Sequence, residues 1–363
     1  MQKRNNQEGI MKQDTYLIVM AGGIGSRFWP MSTEEKPKQF LDMLGTGRTL
    51  FQHTIDRFQG ICPIENVLVV TSQKYTGLVK EQYPTLIDEN ILAEPCMRNT
   101  APCIAYASYK IKKINIQATI IVTPADHLIE EAELFQNAIL KGLDFVESHP
   151  AILTLGIHPR HAETGYGYIQ MKEKNKEIAE VSAFKEKPDL ATAESYLLDG
   201  SFLWNSGIFL WSVNSIISAF EKYNPNMAQA FEEGMSSYYT DKEQDFINKT
   251  YPDIENVSID YCILEKADNL FVQKVTFNWS DLGPWSALWE KSKQTGNGNI
   301  SSAPRSAFYE SSNNMVQVNP EKTVIVQGLT DYIIVEANNI LLICSKKEEQ
   351  RIKSFLNDSK KLN

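Results

Sequence analysis

The sequence predicts an α/β fold: a Rossmann-like, mainly parallel mixed sheet flanked by helices, with a small β-rich domain after it. Three observations predict it. A continuous apolar run, Tyr16 to Met20, is closed by Ala21-Gly22-Gly23-Ile24-Gly25, the pattern of a strand buried on both faces and ended by a turn. Similar runs return at Asn66 to Thr71 and Ala118 to Thr123, with helix-like segments at Leu50 to Phe58 and Ala101 to Lys112; such alternation gives parallel strands joined by helices. Late in the chain come short strand signals at Thr323 to Gln327, Tyr332 to Glu336 and Ile340 to Cys344.

The elements follow in order. Residues 1–14 are polar and mixed in charge, and read as a flexible extension. Residues 15–295 form the large α/β domain; from about Ala151 its pattern loosens, and strand-like pieces at Ile152 to Gly156 and Gly167 to Met171 mix with aromatic-rich segments. The Gly/Asn/Lys-rich stretch Lys291 to Asn299 reads as a linker. Residues 300–363 form the β-rich domain, with Asn338-Asn339 as a turn and a charged helix over Lys346 to Leu356. A chain of 363 residues exceeds the size at which one core stops growing, which fits a large domain plus a small one.

Composition excludes several classes. The net charge of -9 speaks against non-specific nucleic-acid binding, which needs a basic face. It leaves phosphate substrates open, because a few placed cations suffice. Five scattered cysteines with no C-x-x-C pair argue against a disulfide framework or zinc site and for reduced thiols. No run approaches the roughly 18 apolar residues of a membrane span. A cytoplasmic protein is expected, with no membrane partner.

Gly22, Gly23 and Gly25 follow the first strand, and glycines let backbone N–H groups approach phosphate oxygens. Alone, the cluster reads equally well as a plain strand-to-helix turn. It is neither a dinucleotide fingerprint, which would need glycine at Phe28, nor a Walker A loop, since no Gly-Lys-Ser/Thr follows. Arg27 and Lys38 change the balance: a planar fork and a mobile point charge just beyond the loop suit a triphosphate.

Gly22-Gly23-Ile24-Gly25-Ser26-Arg27-Phe28-Trp29-Pro30 and Pro37-Lys38-Gln39-Phe40 resemble the signature of the sugar nucleotidylyltransferases, in their mannose-1-phosphate guanylyltransferase branch. The resemblance runs from about Tyr16 to Trp289 and implies the nucleotide-diphospho-sugar transferase fold. It places Ala21, Gly22, Gly23, Gly25, Ser26, Arg27 and Lys38 around the nucleotide. Glu94-Pro95-Cys96-Met97-Arg98-Asn99-Thr100 resembles the family's base-side stretch; Glu94 is a candidate acceptor for guanine N–H groups, beside Arg98, Asn99 and Thr100. Asn99 and Thr100 also read as helix caps without a ligand.

Thr123-Pro124-Ala125-Asp126-His127 ends a strand, where ligands of open α/β sheets bind. Asp126 matches the family's Mg²⁺ aspartate, and Asp281, in Trp279-Ser280-Asp281-Leu282-Gly283-Pro284-Trp285, matches the second. His127 reads as a donor behind Asp126 or, more simply, as a loop histidine. Glu163-Thr164-Gly165-Tyr166, Glu186-Lys187 and Asn205 match the sugar-phosphate side: Glu163 and Asn205 toward hydroxyls, Gly165 and Tyr166 as room and wall, Lys187 on the phosphate. Glu186 also reads as a surface residue paired with lysine. Asp260 matches a family position of uncertain role and reads as well as a helix N-cap.

The resemblance implies transfer of GMP from GTP to α-D-mannose 1-phosphate with Mg²⁺, giving GDP-mannose and pyrophosphate. Arg27, Lys38, Asp126, Lys187 and Asp281 are the expected catalytic set. A homodimer is allowed for. Two alternatives stay open: a nucleotidylyltransferase for another sugar or base, and a catalytically silent sugar-nucleotide sensor.

Overall fold

A computed structural model of the chain describes residues 12–292 and 294–361. Their contacts gather them into two compact units, each assembled from separate stretches of sequence. The first comprises residues up to 22, then 54–125 and 129–279; the second comprises 23–53, 126–128 and 280 onward. Most of the extension expected over 1–14, residues 1–11, lies outside the described residues. Lys12 to Asp14 are tied down within the first unit: Lys12 Nζ donates to Asp144 Oδ1 at 2.6 Å, and Asn115 donates to Asp14 Oδ1 at 2.8 Å.

The first unit is built on one nine-stranded sheet: β1 (Thr15–Met20), β2 (Val67–Ser72), β3 (Ile91–Glu94), β4 (Thr119–Pro124), β5 (Ile152–Ile157), β6 (Gly167–Met171), β7 (Ile178–Glu186), β8 (Phe202–Ser212) and β9 (Leu270–Val275). Their order is β3-β2-β1-β4-β8-β5-β9-β7-β6, and β6 also pairs with β8. The four strands at the β3 end are parallel. Beyond them β8 runs against both neighbours, β4 and β5, and the far edge is antiparallel too. So the sheet is mixed, with its parallel half where the apolar runs alternate with helices. The helix Thr100–Ile114 is buried along most of its length, because Ala101, Ile104, Ala105 and Tyr106 enter the same core as Ile18, Val70 and Ile120.

The second unit carries the β-rich part: β10 (Ile300–Ser301), β11 (Arg305–Tyr309), β12 (Met315–Gln317), β13 (Thr323–Gln327), β14 (Tyr332–Ala337) and β15 (Ile340–Ser345). Successive strands alternate between a four-stranded sheet, β10-β12-β14-β15, and a two-stranded one, β11-β13, until the closing β14–β15 hairpin. Asn338 and Asn339 form that hairpin's turn with φ of 52° and 60°, the left-handed pair a tight two-residue turn requires. The charged terminal helix divides into a 3-10 stretch, Lys346–Arg351, and an α-helix, Ile352–Ser359.

The division into units does not follow the expected boundary near 295–300. The apolar residues of 23–53 close a core together with residues far along the chain. Phe28, Trp29, Met43 and Leu50 share one with Leu282, Trp285, Ile300, Met315, Ile333, Leu342 and Ile352. Phe28 meets Trp285 edge-on, with ring centroids 4.9 Å apart, and Asn338 donates to the Pro30 carbonyl at 2.9 Å. Among the described residues no helix is long and apolar enough to cross a membrane.

Candidate active site

In the second unit, Gly23, Gly25, Ser26 and Arg27 lie on the loop that follows β1. Gly25 has φ of 67°, and a Cβ there would stand 2.4 Å from the Lys38 Cβ; only glycine admits both the left-handed turn and the lysine stem beneath it. Ser26, Arg27 and Phe28 form a single 3-10 turn. Gln39 donates to the Gly23 carbonyl at 2.8 Å, which fixes the loop from below.

Lys38 is buried, with 4% of its side chain exposed. Its ammonium donates to Asp126 Oδ2 at 3.0 Å and to the Asp281 carbonyl oxygen at 2.6 Å, and lies 5.6 Å from the Phe28 ring centre. Burial alone would raise the Asp126 carboxyl, but Lys38, His127 and Arg27 outweigh it and hold it below its usual range. His127 Nε2 stands 3.9 Å from Asp126 Oδ1.

Asp281 sits on a strained edge. Its Oδ1 accepts the Gly283 N–H at 2.9 Å, and between them the buried Leu282 has φ of 45°. A buried branched residue in the left-handed region persists only where its surroundings over-determine it, as at functional sites. A Cβ on Gly283 would come within 2.7 Å of an Arg27 guanidinium nitrogen and 3.0 Å of Asp281 Oδ2. The missing side chain therefore lets Arg27 lie beside Asp281. Lys38, Arg27, Asp126 and Asp281 are gathered within one unit. Asp126 and Asp281 thus bring two carboxylates into the unit that holds Arg27 and Lys38.

The first unit holds the other expected residues, in two groups. At the end of β1, Ala21 is pinned by its N–H to the Val70 carbonyl at 2.8 Å and by Thr71, whose hydroxyl donates to the Ala21 carbonyl. Gly22 lies beside Glu94 at the end of β3: a Cβ on Gly22 would stand 3.3 Å from Glu94 Oε2. Glu94 is buried, and its Oε1 accepts from the Tyr251 hydroxyl. Burial, only partly offset by Tyr251, pushes its carboxyl up to about 7. Asn99 and Thr100 have structural partners: Asn99 Oδ1 caps the helix by accepting the Thr100 N–H at 3.0 Å, and Thr100 Oγ1 accepts the Ile259 N–H at 2.9 Å. Arg98 donates to the Pro252 carbonyl.

The second group gathers around β6, β7 and β8. Glu163 Oε1 accepts the Gly165 N–H at 2.8 Å, closing a small turn. Tyr166 stands edge-on to Trp204 and Trp279, each with ring centroids 5.2 Å apart. Gly167 pairs with Glu186 across β6 and β7, and a Cβ there would lie 2.4 Å from Glu186 Oε2. Glu186 is only 10% exposed and is paired with Lys187; a lysine partner is present, but the carboxylate is not a surface one. Lys187 is 60% exposed with φ of 47°. A bulge between Thr154 and Gly156 sets Asn205 opposite Gly156, and Asn205 Nδ2 donates to Asp260 Oδ1 at 3.1 Å.

Asp260 is thus not an N-cap. It is the first residue of a π-helical turn, Asp260–Leu264, whose preceding residue Ile259 makes no side-chain cap. Sequence reasoning missed Tyr251, Thr154 and the strained Leu282. Tyr251 and Thr154 are ordinary residues far in sequence from their partners, and nothing local marks them.

The chain is similar to known proteins along most of its length. The Nucleotidyl transferase family matches residues 16–298. Mannose-1-phosphate guanylyltransferase 2 of Escherichia coli O157:H7 is 35% identical over 93% of this chain and 72% of its own length. Mannose-1-phosphate guanylyltransferase ManC of Salmonella typhimurium is 34% identical over 96% of this chain and 74% of its own length. A crystal structure described as a mannose-1-phosphate geranyltransferase from Thermus thermophilus superposes with a TM-score of 0.86 at 26% identity, covering 96% of this chain and 100% of that one.

Proposed function

The chain belongs to the nucleotidyl transferase family, and from that premise we propose that it transfers GMP from GTP to α-D-mannose 1-phosphate, giving GDP-mannose and pyrophosphate. The observation that carries the reading is the buried Lys38 held between Asp126 and Asp281, with Arg27 alongside. Such a group binds anions and offers hard oxygen ligands in the same place.

A sugar-phosphate oxygen attacks the α-phosphorus of GTP in line, and pyrophosphate leaves. The attacking oxygen is already anionic at neutral pH, so no general base is required. What the protein supplies is position and compensating charge. Arg27 and Lys38 hold the triphosphate, with the loop N–H groups of Gly23 to Arg27. Lys187 takes the acceptor phosphate, and Glu163, Glu186 and Asn205 face the sugar. Glu94, neutral or charged near pH 7, meets the base: guanine N–H donors favour its ionised form. Asp126 and Asp281 supply the carboxylates for Mg²⁺, which when bound offsets the charge that builds on the reacting phosphates. Cytoplasmic location and a homodimer belong to the same proposal. Five free cysteines support the first, and exposed Tyr309, Ile325, Leu341 and Ile343 on the second unit's strands support the second.

The test is pyrophosphate release across a panel of nucleoside triphosphates and sugar 1-phosphates with Mg²⁺. GTP with mannose 1-phosphate should turn over fastest. Faster use of UTP or dTTP with glucose 1-phosphate would overturn the base assignment, and a wild type that releases no pyrophosphate would make the chain a sensor.

A further inference from the structure

The hydrogen bonds of Asn205 are already committed. Its Oδ1 accepts the Gly207 N–H at 3.2 Å and the Thr154 hydroxyl at 3.0 Å, a shorter contact than that hydroxyl's alternative acceptor, the Ile208 carbonyl at 3.3 Å. A backbone N–H can only donate, so it fixes which end of the amide is oxygen. The amide nitrogen then donates one hydrogen to Asp260 Oδ1 at 3.1 Å. Asn205 has a single N–H left for a ligand and no acceptor to offer. A sugar hydroxyl that receives that N–H must place its own hydrogen on another group.

Asp260 is the group in position. A carboxylate has about four lone-pair sites; Asn205 fills one of them, and the Ser258 side chain and the backbone N–H of Asp260 itself also donate to the group, which leaves room for a further donor. The charges beside it are those of Glu186 and Lys187. Glu186 and Asp260 set two carboxyls against the one ammonium of Lys187. A surplus of negative charge is poor at holding phosphate and good at holding neutral hydroxyl donors. Lys187, largely exposed and anchored through Glu186, can turn its charge outward while the two carboxyls stay behind. Burial first, and the Glu186 charge second, push the Asp260 carboxyl up to about 6; a hydroxyl donor relieves both.

We infer that Asp260 is a specificity residue of the acceptor site: its carboxylate accepts a hydrogen bond from a sugar hydroxyl whose oxygen receives the remaining N–H of Asn205. The inference rests on the proposed transferase reading and adds to it a residue, a hydrogen-bond direction and a way of telling one sugar from another. Sites built to pair with a hydroxyl discriminate strongly against analogues that cannot supply it.

Two substitutions separate this role from a merely supporting one. Asp260→Asn can still accept from Asn205 with its carbonyl, but it presents an NH₂ where the second oxygen was. Asp260→Ala removes both. Steady-state pyrophosphate release would be measured for each with GTP and mannose 1-phosphate, and with mannose 1-phosphate analogues lacking one hydroxyl at a time, alongside a thermal melt. The expected result is a KM for mannose 1-phosphate raised about ten- to a hundredfold in both variants, with the KM for GTP unchanged. For one deoxy analogue the penalty should vanish, because wild type and variant then lack the same contact. Asp260→Asn matching wild type while Asp260→Ala is impaired would reduce Asp260 to a support for Asn205 and overturn the inference. A penalty of equal size for every deoxy analogue would overturn it too. A wild type inert with every sugar 1-phosphate would refute the transferase reading itself, which is a different failure.

Discussion

Asp126 in the second unit and Glu94 and Asp260 in the first are all carboxyls at least partly withdrawn from water, yet their proton affinities move in opposite directions. Around Asp126, two cations and a histidine overcome the cost of burial and keep the group charged. Around Glu94 and Asp260 that cost is largely unanswered, and the carboxyls rise to about 7 and about 6. The difference matches the work proposed for each. A metal ligand must be an anion before the metal arrives. A carboxyl that reads a base or a sugar needs its charge only once a donor has come to meet it. One unit carries its compensation built in; the other leaves it to the substrate.

The comparison breaks most severely if the second unit is taken apart. Removing the residues after Gly298 deletes Ile333, Val335, Leu342 and Ile352 from the core that holds Phe28 and Leu50. At about 2–5 kcal/mol for each large buried aliphatic lost, the sum exceeds the whole stability of an ordinary domain. Soluble yield and turnover should both collapse. A truncated protein with unchanged melt and activity would show that residues 23–53 hold their shape without the strands.

Next come the two aspartates. Asp126→Asn and Asp281→Asn should each cut turnover by about two orders of magnitude or more, since losing a direct metal ligand costs at least the ~10–100-fold typical of its outer partners. Their melts should differ. Asp126→Asn strips a buried lysine of its counter-charge, which typically costs about 3–5 kcal/mol, so its melting temperature drops. Asp281→Asn leaves the Lys38 contact intact, because that contact is to the main-chain carbonyl, and its melt should barely move. Equal melts would mean that Lys38 is not neutralised by Asp126.

Lys187→Ala sharpens the other side. It should raise the KM for mannose 1-phosphate about tenfold or more, the scale of one charge-assisted contact, and leave GTP binding nearly intact. A loss of GTP affinity instead would assign Lys187 to the donor.

The last effect is a pH dependence. Glu94 binds its proton more tightly folded than unfolded, so through it stability falls as pH rises from about 4.5 to 7, by about 3 kcal/mol. Glu94→Gln removes that loss. Denaturant melts at pH 5 and pH 8 should show the variant gaining on wild type at the higher pH. A constant difference would mean that Glu94 is already ionised in the apo protein.

Much of the first unit is legible in the sequence because its strands are continuous apolar runs. The run at 16–20 became Thr15–Met20 and that at 118–123 became Thr119–Pro124. The looser stretch after 151 hid β7, since a half-exposed strand such as Ile178–Glu186 shows neither a clean run nor a clean alternation. Glycines and charges flagged the loop over 22–27, Lys38 and the two aspartates. Their grouping with the strands after 300 had no local signal, because it depends on which distant apolar residues complete one core. Asn99 and Thr100 show the opposite limit: the residue types that bind ligands at helix starts are those that cap helices, and here they cap and brace.

The interleaving of the two units has a consequence for synthesis. The chain enters the second unit three times, and the core beside the phosphate loop needs both Phe28 and Ile352. Domains generally fold as their residues emerge from the ribosome, so the nine-stranded sheet can form while the second unit waits for its last strands. Arg27, Lys38 and Asp126 are all translated early, yet they acquire their setting only at the end. A stalled or prematurely terminated chain would have a sheet without the finished second unit, so the nucleotide contacts proposed for Arg27 and Lys38 would be lost in unfinished products.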